Sequence, residues 1–409
     1  MSVFTRRTFI KILGQGSAIL GMGFSSRRSW AQSKETRSAT DRPAADVAVI
    51  GAGPGGLSAA LRAAELGLTV CIFEKADKTG GARNGGMGPF GAGTHIQAKY
   101  GIKNCTTRDA FNYLMDFNHW NIDARLASEY INTTAFTVRW LEDQGVLFGQ
   151  INDSSEGVRT RYLHAFAQHP DYEDQFYACA LLTDRVKANK NARLFLETPV
   201  KRLVMTGNAV TGLIAEDKTG KEIEVKAKAV IIATGGFMGS PEMIRKYTSY
   251  TYKKDLFFTY EMPNMSGDGI RMAWDAGAAR SEMMMDVYKG MPIYGGPEGV
   301  RMDWAILARP NLMVNLAGER VMNEACADRH FMANAIHRQP GGCAFLIFDS
   351  TIADIYRSQK SDGGGLPPGF AAPINDIDKI VAEAKKLNYP YLFAAESLDD
   401  LCRQTGIDL

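Results

Sequence analysis

Residues 46–74 read DVAVIGAGPGGLSAALRAAELGLTVCIFE, and this stretch decides the fold. The β-branched apolar run at 46–50 predicts a buried parallel strand, and a second strand is predicted at 69–73. Between them, the alanine- and leucine-rich segment 57–66 predicts a helix that ends at Gly67. A strand, a turn, a helix and a second strand in this order are typical of a Rossmann-like unit in an α/β fold.

The turn of this unit has the spacing G-x-G-x-x-G. Gly51 permits a tight turn, Gly53 lets the backbone approach a pyrophosphate, and Gly56 lets helix and strand pack closely. The free N–H groups at the start of the helix favour phosphate charge. A carboxylate follows about 20 residues later, where it can accept hydrogen bonds from ribose hydroxyls. The predicted dinucleotide-binding residues are Gly51, Gly53, Pro54, Gly55, Gly56 and Glu74.

A glycine-rich loop, KADKTGGARNGGMG at 75–88, follows directly. Such a loop lets the backbone approach a flat ring closely. The pattern E-K-x(4)-G-G, then small residues, then G-x-G, resembles the FAD loop of the fumarate reductase and 3-ketosteroid dehydrogenase flavoproteins. The resemblance implies FAD as the cofactor. It also implies FAD contacts at Lys75, Gly80, Gly81, Ala82, Arg83, Gly86, Met87 and Gly88.

Strands are predicted at 195–203, 210–216 and 222–225, with a turn at 218–220. A β-meander inserted before the last parallel strand is a feature of two-dinucleotide-binding flavoproteins. By resemblance, the backbone of Val200 meets the adenine.

Two further motifs come in the family's order. A strand at 229–232, predicted to be buried, ends in A-T-G-G, and the resemblance implies FAD contacts at Ala233, Thr234 and Gly235. A G-D-G at 267–269 precedes a predicted helix, where Asp268 is expected to contact the flavin by resemblance. A helix N-cap is the alternative role for this residue, and both roles are compatible. A dehydrogenase that uses NAD alone is not expected to have this pair of motifs.

The first 45 residues are interpreted as an export signal and linker. TRRTFIK at 5–11 resembles the twin-arginine signature, and an apolar stretch at 12–24 follows. A bilayer span needs about 20 apolar residues, so no stable membrane span is expected. Cleavage is expected near Ala31, and the protein is expected to be exported to the periplasm or another extracytoplasmic compartment.

Composition excludes some function classes. The net charge of +2 provides no basic field for nucleic acid. The six cysteines form no C-x-x-C pair and are expected to be structural thiols, with disulfides left open by the export prediction. No ligand spacing indicates a metal. The segment 106–190 predicts mostly helices, and its His164 and His169 are interpreted as satisfied histidines rather than substrate contacts.

A capping domain is expected after the G-D-G helix, since PNLMVNLAGERVMNE at 310–324 resembles the family's strand–turn–strand V-N-x-x-G-x-R-x-x-N-E. In fumarate reductases an arginine shortly after this motif delivers a proton to the substrate. The nearest candidate is Arg329, one residue later than the family spacing. Glu298 and Arg301 resemble, weakly, the pair that relays protons to that arginine.

The family's dicarboxylate-binding histidine is absent from 288–292, and methionines are frequent nearby, at 283–285 and 291. This departure argues against fumarate and favours a less polar or larger substrate, such as an unsaturated acid, an enone or a steroid-like ketone. No haem motif is present, so a separate electron donor is expected, such as a cytochrome or a reduced flavin carrier.

The predicted fold class is α/β, with a Rossmann-like FAD-binding domain of the two-dinucleotide-binding type at 46–280 and an α+β capping domain at 281–409. The favoured function is reduction or desaturation of an activated C–C bond of a small molecule. A 3-ketosteroid-dehydrogenase-like desaturase is the near alternative. The family's last motifs, including G-L-Y-A-A-G-E, do not occur, which predicts a truncated chain. A non-catalytic FAD-binding fragment and one half of a two-chain assembly therefore also stay open.

Overall fold

The computed structural model describes residues 2–3, 44–81, 88–149, 151, 160–173, 177–248, 264–281, 312–324, 329–358, 374–389 and 392–408. The chain divides into two compact units. The first unit comprises Ala39–Tyr252 and Thr259–Met285. The second comprises Met1–Ser38, Lys253–Phe258 and Asp286–Leu409.

The first unit is built on a six-stranded sheet of order β4-β3-β2-β7-β6-β5. Its strands are β2 (Ala44–Ile50), β3 (Val70–Phe73), β4 (Ala192–Phe195), β5 (Val200–Thr206), β6 (Ala209–Glu216) and β7 (Glu222–Ile232). The four strands β4, β3, β2 and β7 run parallel, whereas β5, β6 and β7 form an antiparallel meander. The predicted α/β class and the meander insert are both confirmed.

Seven α-helices of the first unit lie within the described residues. They are α1 (Pro54–Glu65), α2 (His95–Lys99), α3 (Thr107–Phe117), α4 (Ala124–Gln144), α5 (Ala178–Ala188), α6 (Pro241–Tyr247) and α7 (Asp268–Asp275). The longest, α4, begins where the Asp123 carboxylate accepts from the N–H groups of Arg125 and Leu126, and it ends at Gly145 with φ 106°. The prediction of mostly helices between 106 and 190 is confirmed for the described part of that range.

Side chains on the two faces of the sheet pack against different helices, because successive strand residues point to opposite faces. Val47, Val49 and Ile72 belong to the core cluster that includes residues of α1 and α5. Ala48 and Phe73 belong to the cluster on the other face, which includes Met272 of α7. Both faces of the parallel part of the sheet are therefore covered, which explains why β2 and β3 are almost purely apolar.

The prediction of a single strand at 195–203 is wrong, because this range contains the end of one strand and the start of another. The parallel strand β4 ends at Phe195, and β5 begins at Val200. Between them Glu197 has φ 51°, and its N–H donates to the Ala76 carbonyl at 2.9 Å. Pro199 has no N–H to donate to a ladder. The turn at these residues redirects the chain from the parallel sheet into the meander.

The two predicted strands at 222–225 and 229–232 form the single strand β7. Its first half pairs with β6 as far as Lys226, and from there to Ile232 it pairs with β2. The prediction that 229–232 is buried is also wrong, since Ile232 is 37% exposed. The pairing of β6 with β7 ends at Lys226, so the edge of β7 beyond that residue is less covered.

The second unit has a three-stranded antiparallel sheet of order β1-β9-β8. Its elements are β1 (Ser2–Val3), β8 (Leu312–Val314), β9 (Phe345–Ile347), α8 (Arg329–His337), α9 (Ser350–Ser358), α10 (Ile377–Lys386) and α11 (Leu398–Thr405). Ile374, Ile377 and Ile380 pack in a cluster with Leu346 and Phe348. The mixture of helices and antiparallel strands agrees with the predicted α+β class, while the domain boundaries and the capping role stay predictions.

No described helix has the length and apolar character that a membrane span needs. Among the described residues, no group of three or more His, Cys, Asp or Glu could hold a metal ion. The five cysteines in the described part of the chain are free thiols, which agrees with the structural-thiol prediction. Cys326 lies outside the described residues.

Candidate cofactor site

The turn after β2 is shaped by glycines for two different reasons. Gly51 has φ 99°, and a Cβ added there would lie 2.6 Å from the Ala233 carbonyl oxygen. A Cβ at Gly56 would lie 1.9 Å from the carbonyl oxygen of Gly51 itself. The predicted roles of Gly51 in the tight turn and of Gly56 in close packing are both confirmed by this geometry.

The start of α1 offers backbone donors to an anion. Its N-cap is Gly53, which has no side chain to cap the helix, and Pro54 occupies the first turn. No acidic side chain lies in that first turn. A Cβ at Gly53 would meet only Gly81 Cα, at 4.0 Å, and one at Gly55 would meet nothing within 4 Å. The first-turn N–H groups and the open space beside Gly53 and Gly55 fit a pyrophosphate. The predicted cofactor contacts of Gly53, Pro54 and Gly55 need this space.

Glu74 is held in place by the backbone of the same edge. It is 7% exposed, its Oε2 accepts from Ala52 N at 2.8 Å, and its Oε1 accepts from Ala76 N at 2.9 Å. A carboxylate has about four acceptor positions, so the two backbone bonds leave capacity for ribose hydroxyls. The carboxylate is thereby fixed beside the glycine turn, as its predicted ribose role needs.

The glycine-rich loop starts against the phosphate turn. Gly80 N donates to the Ala52 carbonyl at 2.9 Å, and a Cβ at Gly81 would lie 3.3 Å from Gly53 Cα. Gly80 and Gly81 have φ 111° and 53°, which favours glycine at both positions. The predicted FAD contacts Ala82, Arg83, Gly86 and Met87 lie outside the described residues.

The far end of the loop is fixed by the segment around His164. His164 N donates to the Pro89 carbonyl at 3.0 Å, and a Cβ at Gly88 would lie 1.8 Å from the His164 carbonyl oxygen. Gly91 N donates to the Tyr162 carbonyl at 2.8 Å. Gly88 therefore has a packing reason to be glycine, and its predicted cofactor contact stays a prediction.

His164 is fully buried, and both of its ring nitrogens have partners. Nε2 lies 2.7 Å from Thr94 Oγ1, and Nδ1 lies 3.1 Å from the Tyr162 carbonyl oxygen. Burial lowers the pKa of His164, although the bond to Tyr162 opposes this and the charge of His95 adds to it. The interpretation of His164 as a satisfied core histidine is confirmed. His169 also has a partner, since its Nδ1 accepts from Asp171 N at 3.1 Å.

Thr94 and Gln97 are residues that sequence reasoning missed. They form a capping box at the start of α2. The Gln97 amide donates to the carbonyls of Gly91, at 2.9 Å, and Arg161, at 2.7 Å. The spacing of Thr94 and Gln97 fits a capping box, but nothing local in the sequence indicates the contacts with 161–164.

The A-T-G-G and G-D-G motifs lie together at the end of β7. Ala233 N donates to the Ile50 carbonyl at 2.8 Å, and Gly267 N donates to the Gly236 carbonyl at 3.1 Å. A Cβ at Gly269 would lie 2.2 Å from Thr234 Oγ1, so this glycine is required by packing. The predicted FAD contacts of Ala233, Thr234 and Gly235 are thus on the carboxyl edge of the sheet, near the glycine turn.

The predicted N-cap role of Asp268 is wrong. The N-cap of α7 is Gly267, with φ 76° and no side-chain cap, and Asp268 is the first helical residue. Its carboxylate instead accepts from Lys75 Nζ at 2.7 Å and from Ser266 Oγ at 2.8 Å. Burial opposes ionisation of Asp268, but the bonds from Lys75 and Ser266 outweigh it and lower its pKa.

Val200 opens β5, pairs with Ala215 and packs against the core on the α7 face. It lies in the described part of the meander, where its predicted adenine contact stays a prediction.

In the second unit, the motif at 312–324 is a turn held by its own side chains. Asn315 Oδ1 accepts from Ala317 N at 2.9 Å and from Glu319 N at 3.0 Å. Glu324 is buried and accepts from Met313 N at 2.8 Å. The predicted strand and turn are confirmed, but the second strand is reduced to an isolated bridge between Val314 and Arg320.

The catalytic hypothesis falls largely on residues that the structure does not describe. Glu298 and Arg301 lie outside the described residues. Arg329 is the first residue of α8, and its side chain is outside the description. The proton-transfer roles of these three residues stay predictions.

The chain matches the sequence model of a protein family, the FAD binding domain family, over residues 46–398. The chain is 28% identical over 368 residues to the vinyl phenol reductase of Lactiplantibacillus plantarum, covering 87% of this chain and 72% of that protein. It is 27% identical over 330 residues to a probable fumarate reductase of Shewanella frigidimarina, covering 79% of this chain and 54% of that protein.

Among solved structures, the 3-ketosteroid Δ1-dehydrogenase of Sterolibacterium denitrificans, in complex with 1,4-androstadiene-3,17-dione, has a similar fold. The TM-score is 0.64 at 20% identity, covering 89% of this chain and 77% of that chain. The glycine turn at 51–56 and the buried Glu74 fit the FAD that the family model implies. The chain belongs to the FAD binding domain family of flavin-dependent oxidoreductases, and the prediction of FAD is confirmed.

Proposed function

We propose that this protein is an FAD-dependent oxidoreductase that reduces an activated C–C double bond of a small molecule. The observation that carries the proposal is the similarity, over 87% of the chain, to a relative whose name is vinyl phenol reductase. The preformed edge made by Gly51, Gly56 and Glu74 supports the same proposal, since it can hold the dinucleotide that such a reaction needs.

FAD, when bound, supplies the hydride that a C–C double bond accepts. The residues of this chain bind and orient the dinucleotide: the first turn of α1 holds the pyrophosphate, and Glu74 accepts from the ribose. We infer that Arg329 holds the proton that the second carbon receives. A guanidinium is suited to this role where burial disfavours its charged form, which lowers the cost of losing the proton.

The proposed substrate class is less polar than fumarate. The region at 283–291 has four methionines and no histidine. It therefore lacks the histidine that, by resemblance, fumarate reductases use to bind a dicarboxylate. Methionine side chains adapt to apolar and aromatic groups. A vinyl arene, an enone or an unsaturated monocarboxylic acid fits this composition better than a dicarboxylate does.

The test is anaerobic turnover by the full-length flavin-loaded chain with a reduced dye as the electron donor. We expect 4-vinylphenol, an enone or an unsaturated monocarboxylate to be reduced with a higher kcat/KM than fumarate. Fumarate turnover above that of all these acceptors would overturn the proposed substrate class. Bound flavin that the dye reduces but no alkene reoxidises would overturn the proposed activity.

A second candidate is desaturation of a 3-ketosteroid-like substrate. The fold similarity to a 3-ketosteroid dehydrogenase motivates it. The two candidates differ in the direction of hydride transfer, so the same protein is assayed with a saturated ketone and an oxidised dye. Dye reduction that depends on the ketone, with no alkene reduction in the first assay, would favour the desaturase. A stable flavoprotein inactive in both assays would favour a non-catalytic FAD-binding fragment.

We further propose twin-arginine export and a separate electron donor, either a cytochrome or a reduced flavin carrier. The arginine pair at 6–7 ahead of an apolar stretch motivates the first part. Arg6→Lys combined with Arg7→Lys is expected to leave the holoprotein in the cytoplasm. Unchanged appearance in the periplasm would contradict this route.

A further inference from the structure

The turn between α3 and α4 holds an exposed tryptophan in a conformation that such a residue rarely adopts. His119 and Trp120 have φ 51° and 59°, in the left-handed region that favours glycine. Trp120 N donates to the Met115 carbonyl at 2.8 Å, and the indole Nε1 donates to Asp116 Oδ1 at 2.9 Å. These bonds fix a side chain that is 62% exposed. A large ring that strained backbone holds outward indicates a binding role for that ring.

Two more large apolar side chains are exposed on α4. Leu126 is 71% exposed and Tyr130 is 49% exposed. They are four residues apart, so they lie on the same face of the helix, one turn from each other. Thr133 and Thr137 continue this face, are exposed and carry no charge. We call Trp120, Leu126 and Tyr130 the α3–α4 patch.

The two rings of the α3–α4 patch lie against one cluster beneath the surface. The Trp120 ring contacts the Phe111 ring, with centroids 6.4 Å apart, and the Tyr130 ring contacts the Phe90 ring at 6.1 Å. Phe90 and Phe111 both pack against the same buried core, which includes Tyr162. The patch is therefore one surface over one core rather than a set of separate exposed residues.

The same core leads to the glycine-rich loop. Phe90 stacks on Tyr162 with ring centroids 4.9 Å apart, and it follows Gly88, the last predicted FAD contact of the loop, by two residues. Two residues span at most about 7 Å. A short path therefore joins the exposed Tyr130 ring, through Phe90, to the loop at which the cofactor is expected. Such a surface suits a partner that exchanges electrons with the cofactor, because electron-transfer rates fall steeply with distance.

The charges beside the α3–α4 patch indicate the chemistry of the partner. Between 116 and 130, three exposed carboxylates stand against one exposed guanidinium; these are Asp116, Asp123, Glu129 and Arg125. The excess negative charge attracts a basic protein. A second copy of this chain would bring the same sign of charge to the same place, and an anionic lipid surface would also be repelled.

We propose that the α3–α4 patch is the docking surface for a one-electron donor protein whose redox centre is surrounded by basic side chains, such as a cationic c-type cytochrome. The three apolar side chains form the centre of the contact, and the carboxylates form its polar rim. Two donors in turn supply the two electrons that reduce FAD, and water supplies the proton that accompanies them. The proposal rests on the proposed function, which needs a separate donor, and assigns that donor a place on the chain.

The experiment uses the full-length flavin-loaded chain and a lysine-rich c-type cytochrome. Calorimetry at low salt measures binding, and stopped-flow absorbance measures how fast the ferric cytochrome takes electrons from the reduced flavin, one electron for each cytochrome. Trp120→Gly suits the backbone at φ 59° and is expected to stay folded. This variant and Leu126→Ser are each expected to weaken binding and to lower the second-order rate about tenfold. Oxidation of the flavin by a small dye, which needs no docking surface, is expected to match the parent.

Leu66→Ser is the matched control, since Leu66 is another leucine of the first unit, at the end of α1, and is 65% exposed. It is expected to bind the cytochrome as the parent does. The charge test compares Glu129→Lys with Glu222→Lys, an exposed change at the start of β7. The parent rate is expected to fall as salt rises, and Glu129→Lys should weaken this dependence more than Glu222→Lys does.

Unchanged cytochrome binding in both Trp120→Gly and Leu126→Ser would overturn the inference, as would a parent that binds an acidic cytochrome equally well or binds neither. A parent that is a dimer in gel filtration, with Leu126→Ser a monomer, would assign the patch to a second copy instead. A parent that binds the cytochrome through the patch but reduces no alkene would remove the proposed function and leave the docking surface standing. Alkene reduction with a dye, together with patch variants that react with the cytochrome as the parent does, would remove the docking surface alone.

Discussion

The Nε2 atom of His164 lies 2.7 Å from the hydroxyl of Thr94, in a site that solvent does not reach. The other ring nitrogen faces the Tyr162 carbonyl, which can only accept, so Nδ1 carries the proton of the neutral ring. Nε2 then accepts from Thr94. This pair fixes the segment that follows the glycine-rich loop to the segment at 162–165.

Replacing this imidazole is expected to destabilise the first unit. His164→Leu removes one bond from the Thr94 hydroxyl, which keeps its bonds to Gln97, and one from the Tyr162 carbonyl, which still accepts from Gly91 N. The loss of two buried hydrogen bonds costs about 1–3 kcal/mol. Urea unfolding measures the loss. The control is His169→Leu, because that ring is only partly buried, and its cost should be smaller. Equal costs for both variants would contradict the importance of the buried pair.

The same histidine predicts a pH dependence of stability. Burial lowers the pKa of His164 in the folded chain, while the unfolded chain keeps a value near 6.5. The unfolded state therefore binds more protons as pH falls below about 6.5, and the free energy of unfolding decreases until the folded pKa is reached. His164→Leu should show a flatter decline between about pH 6.5 and 5. Parallel pH curves for the parent and the variant would rule out this contribution.

Gly56 and Gly55 are adjacent glycines with opposite surroundings. A Cβ at Gly56 would lie 1.9 Å from the Gly51 carbonyl, whereas one at Gly55 would meet nothing within 4 Å. Gly56→Ala should reduce stability by about 1–3 kcal/mol, as overpacking does. It should also lower the FAD content of the purified protein, because the turn must shift. Gly55→Ala should be as stable as the parent in the flavin-free protein, and a loss equal to that of Gly56→Ala would count against the packing role.

Glu74 is expected to matter even without cofactor. Glu74→Ala removes the acceptor of two backbone N–H groups in a buried position, which costs about 1–3 kcal/mol for each donor left unpaired. Thermal unfolding of the flavin-free protein measures this loss. Glu129→Ala, an exposed change on α4, is the control. A flavin-free Glu74→Ala protein as stable as the parent would show that the carboxylate serves the cofactor alone.

Glu324 should make the second unit sensitive to acid. Burial opposes ionisation, but the bonds from Arg320 and from Met313 N outweigh it, so the pKa of Glu324 is below its ordinary value of 4.5. A lowered pKa contributes stability above about pH 4.5, and that contribution is lost as pH falls through the folded value. Glu324→Gln should therefore lose stability at pH 7 and decline less on acidification. Glu396→Gln, an exposed change in the same unit, should follow the parent at all pH values; an acid response of Glu324→Gln identical to the parent's would refute this role.

The sequence by itself determined the glycine turn, the strands that flank it, the cofactor and the order of the later motifs. These features depend on local backbone requirements: Gly51 needs a positive φ, Gly56 needs a missing Cβ, and the continuous apolar run of β2 needs two covered faces. Each requirement is met by residues within a few positions of one another, so spacing reveals it.

Tertiary structure alone decided which distant residues meet. The turn at Glu197, which separates β4 from β5, includes a hydrogen bond to the Ala76 carbonyl. The Thr94–His164 pair depends on the packing of two loops. Lys75 reaches Asp268 because the sheet order places β7 beside β2, which no local pattern in either motif specifies. Contacts of this kind form when the whole sheet is assembled, and their energies depend on burial that only the folded chain provides.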